Sequence, residues 1–392
     1  MQPTIPEIEA QLAALADGGS HEVRRIDLLV KLAGLLVNAD PARAAAVSRE
    51  VWERSLRAGH ASGQAHSVRI DGTLRYHAAD LPQAGELALR SLGLFAACGD
   101  EAGQAAALGL LANVRFKQGD YQGALELNQR GLAVRRRLGL TAGVGQYLNN
   151  IGTCHVRLGA FEQALECFRE SLRLAEETGD IRGQAHSQMN IGSVSKSMAR
   201  HGDADDAYRR GLALFRRCGD VRGQALCLCN IGLNAMERGD HPQAQASLAQ
   251  SLDLSRAVRD VQGEMFALMY LGDLCRRTGD LPQALERNRA AGDLALEVND
   301  PFYQAECQIG LGDIYLDMDQ PVLALETLQQ GLDMAVTIGS RELEMRALRG
   351  LAECHGRAGQ AEAAASYRDR WQRLEREMAG SGSDGTAKPD ST

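Results

Sequence analysis

The sequence has few of the residues that build β-sheets or contact nucleic acid. Aromatic residues make up 4% of its 392 positions and there are 9 prolines, whereas alanine, leucine, glutamine and arginine are abundant. This composition favours helix throughout and predicts almost no strand. The formal net charge is -8 with both signs interspersed, so the chain lacks the basic stripe that a phosphate backbone requires. We therefore expect no nucleic-acid partner.

Long apolar segments and a secretory leader are also missing. No stretch reaches the roughly 18 apolar residues of a membrane helix, and residues 1–20 have neither a basic start nor an apolar core. The 9 cysteines include no CxxC pair, which fits a reducing compartment where free cysteines act as small apolar side chains. These features predict a cytoplasmic protein that does not contact a membrane.

Catalytic and cofactor-binding motifs are absent as well. The sequence contains no HExxH, Walker, GxSxG or GxGxxG motif. Residues 193–196 spell SxxK, and Cys154-His155 and Cys354-His355 are adjacent pairs of metal-ligand types. Adjacent helical residues point about 100° apart, so these pairs are poor ligand sets. We expect a protein that is not an enzyme and needs no cofactor or metal.

What the sequence does contain is an internal repeat. Blocks of 40 residues that start at residue 21 align through residue 380 without insertion or deletion, and position 24 of every block is alanine, from Ala44 to Ala364. Position 12 is Gly or Ala in all the later blocks, from Gly72 to Ala352, although a glycine inside a helix costs about 1 kcal/mol relative to alanine. A small residue there would let the first helix of a block approach the second closely.

Glycine and aspartate mark the predicted helix boundaries. A helix-ending glycine followed by an N-capping aspartate stands at block starts and again in mid-block. These pairs are Gly99-Asp100, Gly179-Asp180 and Gly219-Asp220 at block starts, and Gly119-Asp120, Gly239-Asp240 and Gly279-Asp280 in mid-block. Each block is therefore predicted to form two helices of roughly 16 residues. Such pairs must stack on their neighbours to bury their apolar faces.

The blocks differ at the two ends of the chain. We expect residues 1–20 to form a helical lead-in and block 21–60, which lacks the small residue at position 12, to be an N-terminal capping repeat. Seven regular repeats follow in residues 61–340. Block 341–380 has a more charged second helix, as a solvent-facing C-terminal cap should. Residues 381–392 are polar and rich in glycine, which predicts a disordered tail.

The spacing within the blocks resembles the tetratricopeptide repeat family over most of the chain. The matching residues in block 141–180 are Leu148, Ile151 and Gly152 in the first helix and Ala164, Phe168 and Ser171 in the second. The period of 40 and the phrase GDIRGQAHSQMNIG are similar to the long-helix variant of cell-polarity adaptors and of bacterial Rap-type peptide receptors. The resemblance implies an all-α, right-handed superhelical solenoid of about eight to nine helix pairs that acts as a binding module. One departure is the aromatic position 28, which becomes Ala88, Asn128, Asn288 and Arg368.

Positions 6, 10, 13 and 17 of the first helices form a stripe opposite to position 11. Position 11 is Leu or Ile from block 101 onward, so the stripe is expected to face away from the core; in the resembled family it lines a concave groove. Position 10 carries no charge and includes Asn150, Asn190, Asn230 and Tyr270, with Asn149 beside them. Their amides suit the backbone of an extended peptide. In the alternative interpretation these asparagines only bond the neighbouring repeat and shape the stack.

The charges near the predicted groove are polarised along the chain. Basic side chains are Arg69, His77, Lys117, Arg157, His186 and Lys196, and acidic ones farther along include Asp273 and Asp313. We hypothesise that a ligand places an acidic segment against Lys117 and Arg157 and a basic segment against Asp273 and Asp313. Alternatively, these are ordinary solvated charges.

Three functions follow from these features. The first is a protein-interaction adaptor or scaffold that holds a peptide segment of its partner in the groove. The second is a receptor whose superhelix changes on binding a short signalling peptide or small ligand. The third is self-assembly into a homo-oligomer through the end repeats, with Trp371 and Leu374 at the interface.

Overall fold

The computed structural model describes residues 4–15 and 21–381, with side chains as far as residue 377. The described residues form nineteen α-helices and no strand, which confirms the predicted fold class. The end of the predicted lead-in and all but the first residue of the predicted tail lie outside this part of the chain. No helix within it is long and apolar enough to cross a membrane.

The helices alternate between first and second positions of the predicted blocks, after one short lead-in helix. They are α1 Ile5–Ala13, α2 Glu22–Ala39, α3 Pro41–Ala58, α4 Ala61–His77, α5 Leu81–Ala97, α6 Glu101–Lys117, α7 Tyr121–Arg137, α8 Val144–Arg157, α9 Phe161–Thr178, α10 Ile181–Ser197, α11 His201–Arg217, α12 Val221–Glu237, α13 His241–Ala257, α14 Val261–Thr278, α15 Leu281–Glu297, α16 Pro301–Asp317, α17 Pro321–Ile338, α18 Arg341–Arg357 and α19 Ala361–Ser381.

The aspartates predicted to cap these helices do so. Asp100 accepts a hydrogen bond from the backbone nitrogen of Gly103 at 2.7 Å, and Asp240 accepts one from that of Gln243 at 3.1 Å. The same bond is made by Asp40, Asp80, Asp120, Asp180, Asp220 and Asp280. Each cap satisfies a backbone donor that the first turn of a helix leaves free.

The chain divides into two compact units, residues 1–198 and residues 199–392. Within the first unit each helix packs on the next, and the first helices α2, α4 and α6 also touch in succession. Within the second unit the same holds for consecutive helices and for the first helices α12, α14, α16 and α18. The core of each unit is thus a row of local clusters, each built by neighbouring helices.

The small residues at position 12 lie where the two helices of a block cross. A Cβ on Gly312 would be 2.4 Å from Cγ of Leu328, and a Cβ on Gly272 would be 3.4 Å from the carbonyl oxygen of Ala284. Larger side chains would force these helices apart, because the contact already lies at or inside van der Waals distance. This close approach offsets the low helix propensity of glycine.

The stripe through position 10 does not face away from the core in every block, so that prediction is wrong for part of the chain. Ile70 is 1% exposed and packs with Leu32 and Leu36 of the preceding block, and Leu110 is 6% exposed. Position 10 lies where successive first helices meet, and an apolar residue there is buried by that contact. The asparagines and Tyr270 at this position are half-buried.

Position 11 faces the core as predicted in most blocks. Ile151 is 4% exposed and Leu351 is fully buried. Ile191 and Leu311 are only partly buried, which departs from the prediction.

Candidate functional site

Helix α8 begins three residues later in its block than the other regular first helices. Its first residue is Val144 and its N-cap is Gly143, whose backbone is left-handed with φ of 78°. The position that holds an aspartate in most other blocks is Leu140, which has no side-chain acceptor. Residues 141–143 therefore form a turn, which Arg135 braces by donating from Nε to the carbonyl oxygen of Ala142 at 2.7 Å.

A cavity of about 960 Å³ opens beside this shortened helix, between α8, α9 and α10. Its lining is rich in amides, hydroxyls and backbone and contains few apolar side chains. The lining residues are Thr141, Ala142, Gly143, Gly145, Gln146, Asn149, Asn150, Thr153, Ser171, Leu174, Ala175, Thr178, Asp180, Arg182, Gly183, His186 and Asn190. Four residues predicted from the sequence, Asn149, Asn150, His186 and Asn190, thus come together in one cavity of the first unit.

The asparagines of this cavity also bond neighbouring repeats. Nδ2 of Asn190 donates to Oδ1 of Asn149 at 3.4 Å, and Nδ2 of Asn150 donates to Oδ1 of Asn113 at 3.4 Å and of Asn128 at 3.5 Å. These distances are at the long end for hydrogen bonds, and each carboxamide has two N–H donors and an acceptor oxygen. The amides therefore hold the stack and keep capacity for further bonds.

The other predicted basic residues of the first unit, Arg69, His77, Lys117, Arg157 and Lys196, do not line this cavity. The guanidinium of Arg157 lies 6.0 Å from the ring centroids of Phe116 and Tyr121. Burial lowers the pKa of Arg69, and its Nε has no hydrogen-bond partner among the described residues.

The second unit has a separate cavity of about 340 Å³ between α14, α15, α16 and α18. It brings together Tyr270, Asp273 and Asp313, three residues predicted from the sequence, whereas Asn230 does not line it. The remaining lining residues are Met269, Arg276, Arg277, Asn288, Glu306, Gly310, Ile314 and Arg346. This cavity is far more charged than that of the first unit.

Arginines neutralise two of its three carboxylates. Asp273 pairs with Arg277 at 2.9 Å and with Arg276 at 3.3 Å. Glu306 pairs with Nη1 of Arg346 at 3.0 Å. The remaining carboxylate belongs to Asp313, which has no ion pair or hydrogen bond among the described side chains.

Burial dominates the electrostatics of this cavity. It raises the pKa of Asp313 to about 6, against the lowering effect of Arg346 and Arg276. Burial also raises the pKa of Glu306, although its ion pair with Arg346 lowers it, and raises the pKa of the Tyr270 hydroxyl. Desolvation penalises each charged form because the surrounding protein is less polar than water.

Sequence reasoning missed residues in both cavities. In the first, Gln146 and Thr153 lie on the predicted stripe but carry no charge, so nothing marked them. In the second, Asn288 was interpreted as a lost aromatic, although the glycine at position 10 of the next block, Gly310, leaves the room that the Asn288 carboxamide occupies. Within the described residues no group of three or more His, Cys, Asp or Glu is arranged to hold a metal ion.

Comparison with protein families identifies the fold. A tetratricopeptide repeat model matches residues 103–177, 143–217, 222–297 and 263–337, and a second such model matches residues 309–377. The chain belongs to the tetratricopeptide repeat family. The family expected from the sequence is thereby confirmed, and no curated protein sequence matches this tetratricopeptide repeat chain.

Solved structures share the tetratricopeptide repeat fold over nearly the whole chain. A Rap protein complexed with competence and sporulation factor is 14% identical, with a TM-score of 0.67, and the match covers 91% of this chain and 99% of that one. The apo quorum sensor NprR from B. thuringiensis is 13% identical with a TM-score of 0.65, over 91% and 100%. The Rap conjugation gene regulator of plasmid pLS20, in complex with the Phr* peptide, is 12% identical with a TM-score of 0.62, over 93% and 98%. At such identities the likeness shows the fold alone.

Proposed function

We propose that this protein binds a peptide segment in the cavity between α8, α9 and α10. The observation that carries the proposal is the 960 Å³ space lined by Asn149, Asn150 and Asn190, which the shortened α8 opens. Ligand sites commonly enclose roughly 300 to 1,000 Å³. This cavity is therefore large enough for several residues of an extended chain.

The chemistry of the lining fits a peptide backbone better than a metal or a nucleotide. Carboxamides offer a donor and an acceptor on one side chain, as each peptide unit does. Arg182 and Asp180 add one charge of each sign near the start of α10, and His186 adds a titratable side chain. Main-chain bonds of this kind supply affinity, and pockets for side chains supply specificity.

Two of the structurally similar proteins support this assignment by their ligands. One Rap structure is a complex with the Phr* peptide and another is a complex with competence and sporulation factor. The peptide bound by the present chain is either a segment of a partner protein, which makes the chain an adaptor, or a free short peptide, which makes it a receptor. The bounded size of the cavity favours a short segment in both cases.

The test fills the cavity without breaking a hydrogen bond. Gln146 is exposed, lines the cavity and makes no hydrogen bond within the described residues, so Gln146→Trp adds bulk there and removes no hydrogen bond. Gln129→Trp, at an exposed site on α7, is the matched control. Peptides selected by wild-type protein from a random displayed library should lose about tenfold or more in affinity with Gln146→Trp and none with Gln129→Trp, measured by fluorescence anisotropy.

Binding that Gln146→Trp does not weaken would contradict the proposal. Selected peptides that bind Gln146→Trp as tightly as wild type would place the recognition surface elsewhere on the molecule. Mass spectrometry of protein purified from its native source separates the two roles. A co-purifying short peptide indicates a receptor, and a co-purifying protein that the Trp variant loses indicates an adaptor.

We also propose that Lys117 and Arg157 meet acidic residues of the ligand. Both side chains are exposed, so long-range attraction is screened by salt and acts mainly on association. The double reversal to Glu should slow association with an acidic peptide and flatten its salt dependence in stopped-flow measurements. Unchanged rates at low salt would show that these are ordinary solvated charges. His77, Lys196 and the more buried Arg69 remain proposed contacts to acidic residues, and Asn230 remains a proposed amide contact to the peptide backbone.

A further inference from the structure

The cavity of the second unit contains a buried amide whose oxygen lacks a partner. Asn288 on α15 is 5% exposed and lines the cavity, and its Oδ1 has no hydrogen-bond partner among the described residues. A buried polar atom left in this state costs free energy, so nearly all such atoms in folded proteins are satisfied. The unsatisfied Oδ1 of Asn288 therefore indicates that this amide can bond a group that the described residues do not supply.

The first unit holds an equivalent asparagine that is satisfied. Asn128 occupies the same block position, and its Nδ2 donates to the carbonyl oxygen of Ala124 at 2.9 Å. Its Oδ1 accepts from Nδ2 of Asn150, which stands at position 10 of the following block. In the second unit, position 10 of the following block is Gly310, which has no side chain to donate.

The space that a side chain at position 10 would occupy is part of the cavity. A Cβ on Gly310 would lie 2.7 Å from Nδ2 of Asn288, so the carboxamide faces that space directly. In the structure it is Nδ2 that lies nearest this space, and Oδ1 is the buried atom without a partner. Rotation of the carboxamide exchanges the two atoms, and in the orientation that Asn128 adopts Nδ2 would donate to the carbonyl oxygen four residues earlier while Oδ1 would point into the cavity.

The unpaired carboxylate of the cavity stands on the same helix. Asp313 follows Gly310 by three residues on α16, which places both on one face of the helix. The other two carboxylates are paired with arginines, whereas Asp313 makes no ion pair with Arg276 or Arg346, although both arginines line the same cavity. The chain's net charge of -8 also falls entirely within residues 199–392.

We propose that this cavity binds an ammonium or guanidinium group between Oδ1 of Asn288 and the carboxylate of Asp313. A guanidinium fits best, because its planar fork donates several N–H bonds at once to a carboxylate and a neighbouring oxygen. In a peptide ligand this would be the side chain of an arginine or lysine. The inference extends the proposed peptide binding, but the site itself requires only the cation.

The test uses small probes with the full chain. Acetyl-arginine amide should bind, and acetyl-citrulline amide, which has nearly the same shape without the charge, should bind about tenfold or more weakly in NMR titrations. Gly310→Asn places an amide where Asn150 stands in the first unit, so it should satisfy Asn288, fill the space and abolish binding. Asp313→Asn should weaken binding about tenfold, and Asp293→Asn, at an exposed position on α15, should leave it unchanged.

Either of two results would overturn the inference: equal affinity for the two probes, or full affinity in both Gly310→Asn and Asp313→Asn. The second variant keeps the test decisive if Gly310→Asn does not fold. Failure here is distinct from failure of the proposed function, because peptide binding that depends on Gln146 involves only the first unit. Conversely, the arginine probe can bind the second unit even if no peptide binds the first.

Discussion

At the scale of single residues, the protonation of Asp313 links the cavity of the second unit to pH. Burial raises its pKa to about 6; Arg346 on α18 and Arg276 on α14 oppose this shift, and Asp317 and Asp273 add to it. The pKa in the folded chain lies above that of an unfolded aspartate. Its contribution to stability is therefore complete below about pH 4 and is lost as the pH rises through about 6.

Replacing this carboxylate with an amide should make stability depend less on pH. Between about pH 5 and about pH 7.5, wild type should lose about 1 kcal/mol of its free energy of unfolding that Asp313→Asn does not lose. Urea denaturation at the two pH values measures this difference. Asp293→Asn, whose side chain is exposed, should show no such change. A parallel response of the two variants would mean that Asp313 titrates normally.

Glycines at different positions of the same unit should respond in opposite directions to an added methyl group. Gly312→Ala places a Cβ 2.4 Å from Leu328 and should lower the free energy of unfolding by about 1 to 3 kcal/mol, because the helices must separate. Gly292→Ala finds its nearest neighbour, Cys307, at 3.7 Å and should raise stability by up to about 1 kcal/mol through helix propensity. Thermal denaturation followed by circular dichroism distinguishes these outcomes. Equal effects would show that position 12 is not a close-contact site.

Some residues that line the two cavities were predicted from the sequence and others were not, for a physical reason. Asn150 and Asn190 stood out because uncharged polar residues recur at one position of a helix face. Asn288 did not, because an amide at an aromatic position of the family pattern looks like the loss of a core residue. Only the folded chain shows that Asn128 and Asn288 lie beneath position 10 of the next block, where the neighbouring side chain decides whether the amide is satisfied.

At the scale of elements, the late start of α8 determines the shape of the larger cavity. An aspartate at residue 140 would supply the missing N-cap, as Asp180 does for α10 by accepting from the backbone nitrogen of Gly183 at 3.0 Å. Leu140→Asp should therefore extend α8 to residue 141 and raise the free energy of unfolding by about 1 kcal/mol. Hydrogen exchange should show slower exchange at residues 143–147.

The same substitution should reduce peptide affinity, because the turn at residues 141–143 lines the cavity. Ala160→Asp provides the control: it adds a cap and a charge to α9, whose N-cap Ala160 makes no side-chain bond, and leaves that turn unaltered. Stabilisation by both variants with loss of affinity only for Leu140→Asp would assign the effect to the shape of the cavity. If Leu140→Asp bound peptide normally, the shortened helix would not be part of the site.

Helix number and most boundaries followed from the sequence because the capping chemistry is local. A glycine and an aspartate suffice to end one helix and begin the next, whatever surrounds them. The sequence also shows that Leu140 lacks a side-chain acceptor at a position that holds aspartate in most blocks. The sequence does not show the cavity that results, because the cavity also depends on the side chains of α9 and α10.

At the scale of the whole molecule, contacts between neighbouring repeats account for the structure within each unit. Each cluster of the core is built by adjacent helices, so a local change should act mainly on its own unit. The period of 40 residues predicted this organisation, since a helix pair cannot bury its apolar faces alone. The period carries no information on which repeats leave space between them, and that is where both candidate sites lie.

The C-terminal helix pair, α18 and α19, is either a capping repeat or an assembly interface. Trp371 and Leu374 of α19 are partly buried and pack against the core cluster of the last repeats, which contains Leu332 and Leu351. We therefore expect Trp371→Ala to lower the free energy of unfolding by about 2 kcal/mol, less than the 3 to 5 typical of a fully buried tryptophan. Leu323→Ala, at an exposed position of α17, should cost little.

Light scattering over a range of concentrations separates the two roles of this helix pair. If it is a cap, wild type and Trp371→Ala have the same molar mass at every concentration and differ only in stability. If it is an interface, the mass of wild type rises with concentration, and the variant loses that rise without losing stability. The packing of Trp371 against its own chain favours the first outcome, because a side chain that is already partly buried there has less apolar surface to offer a second copy.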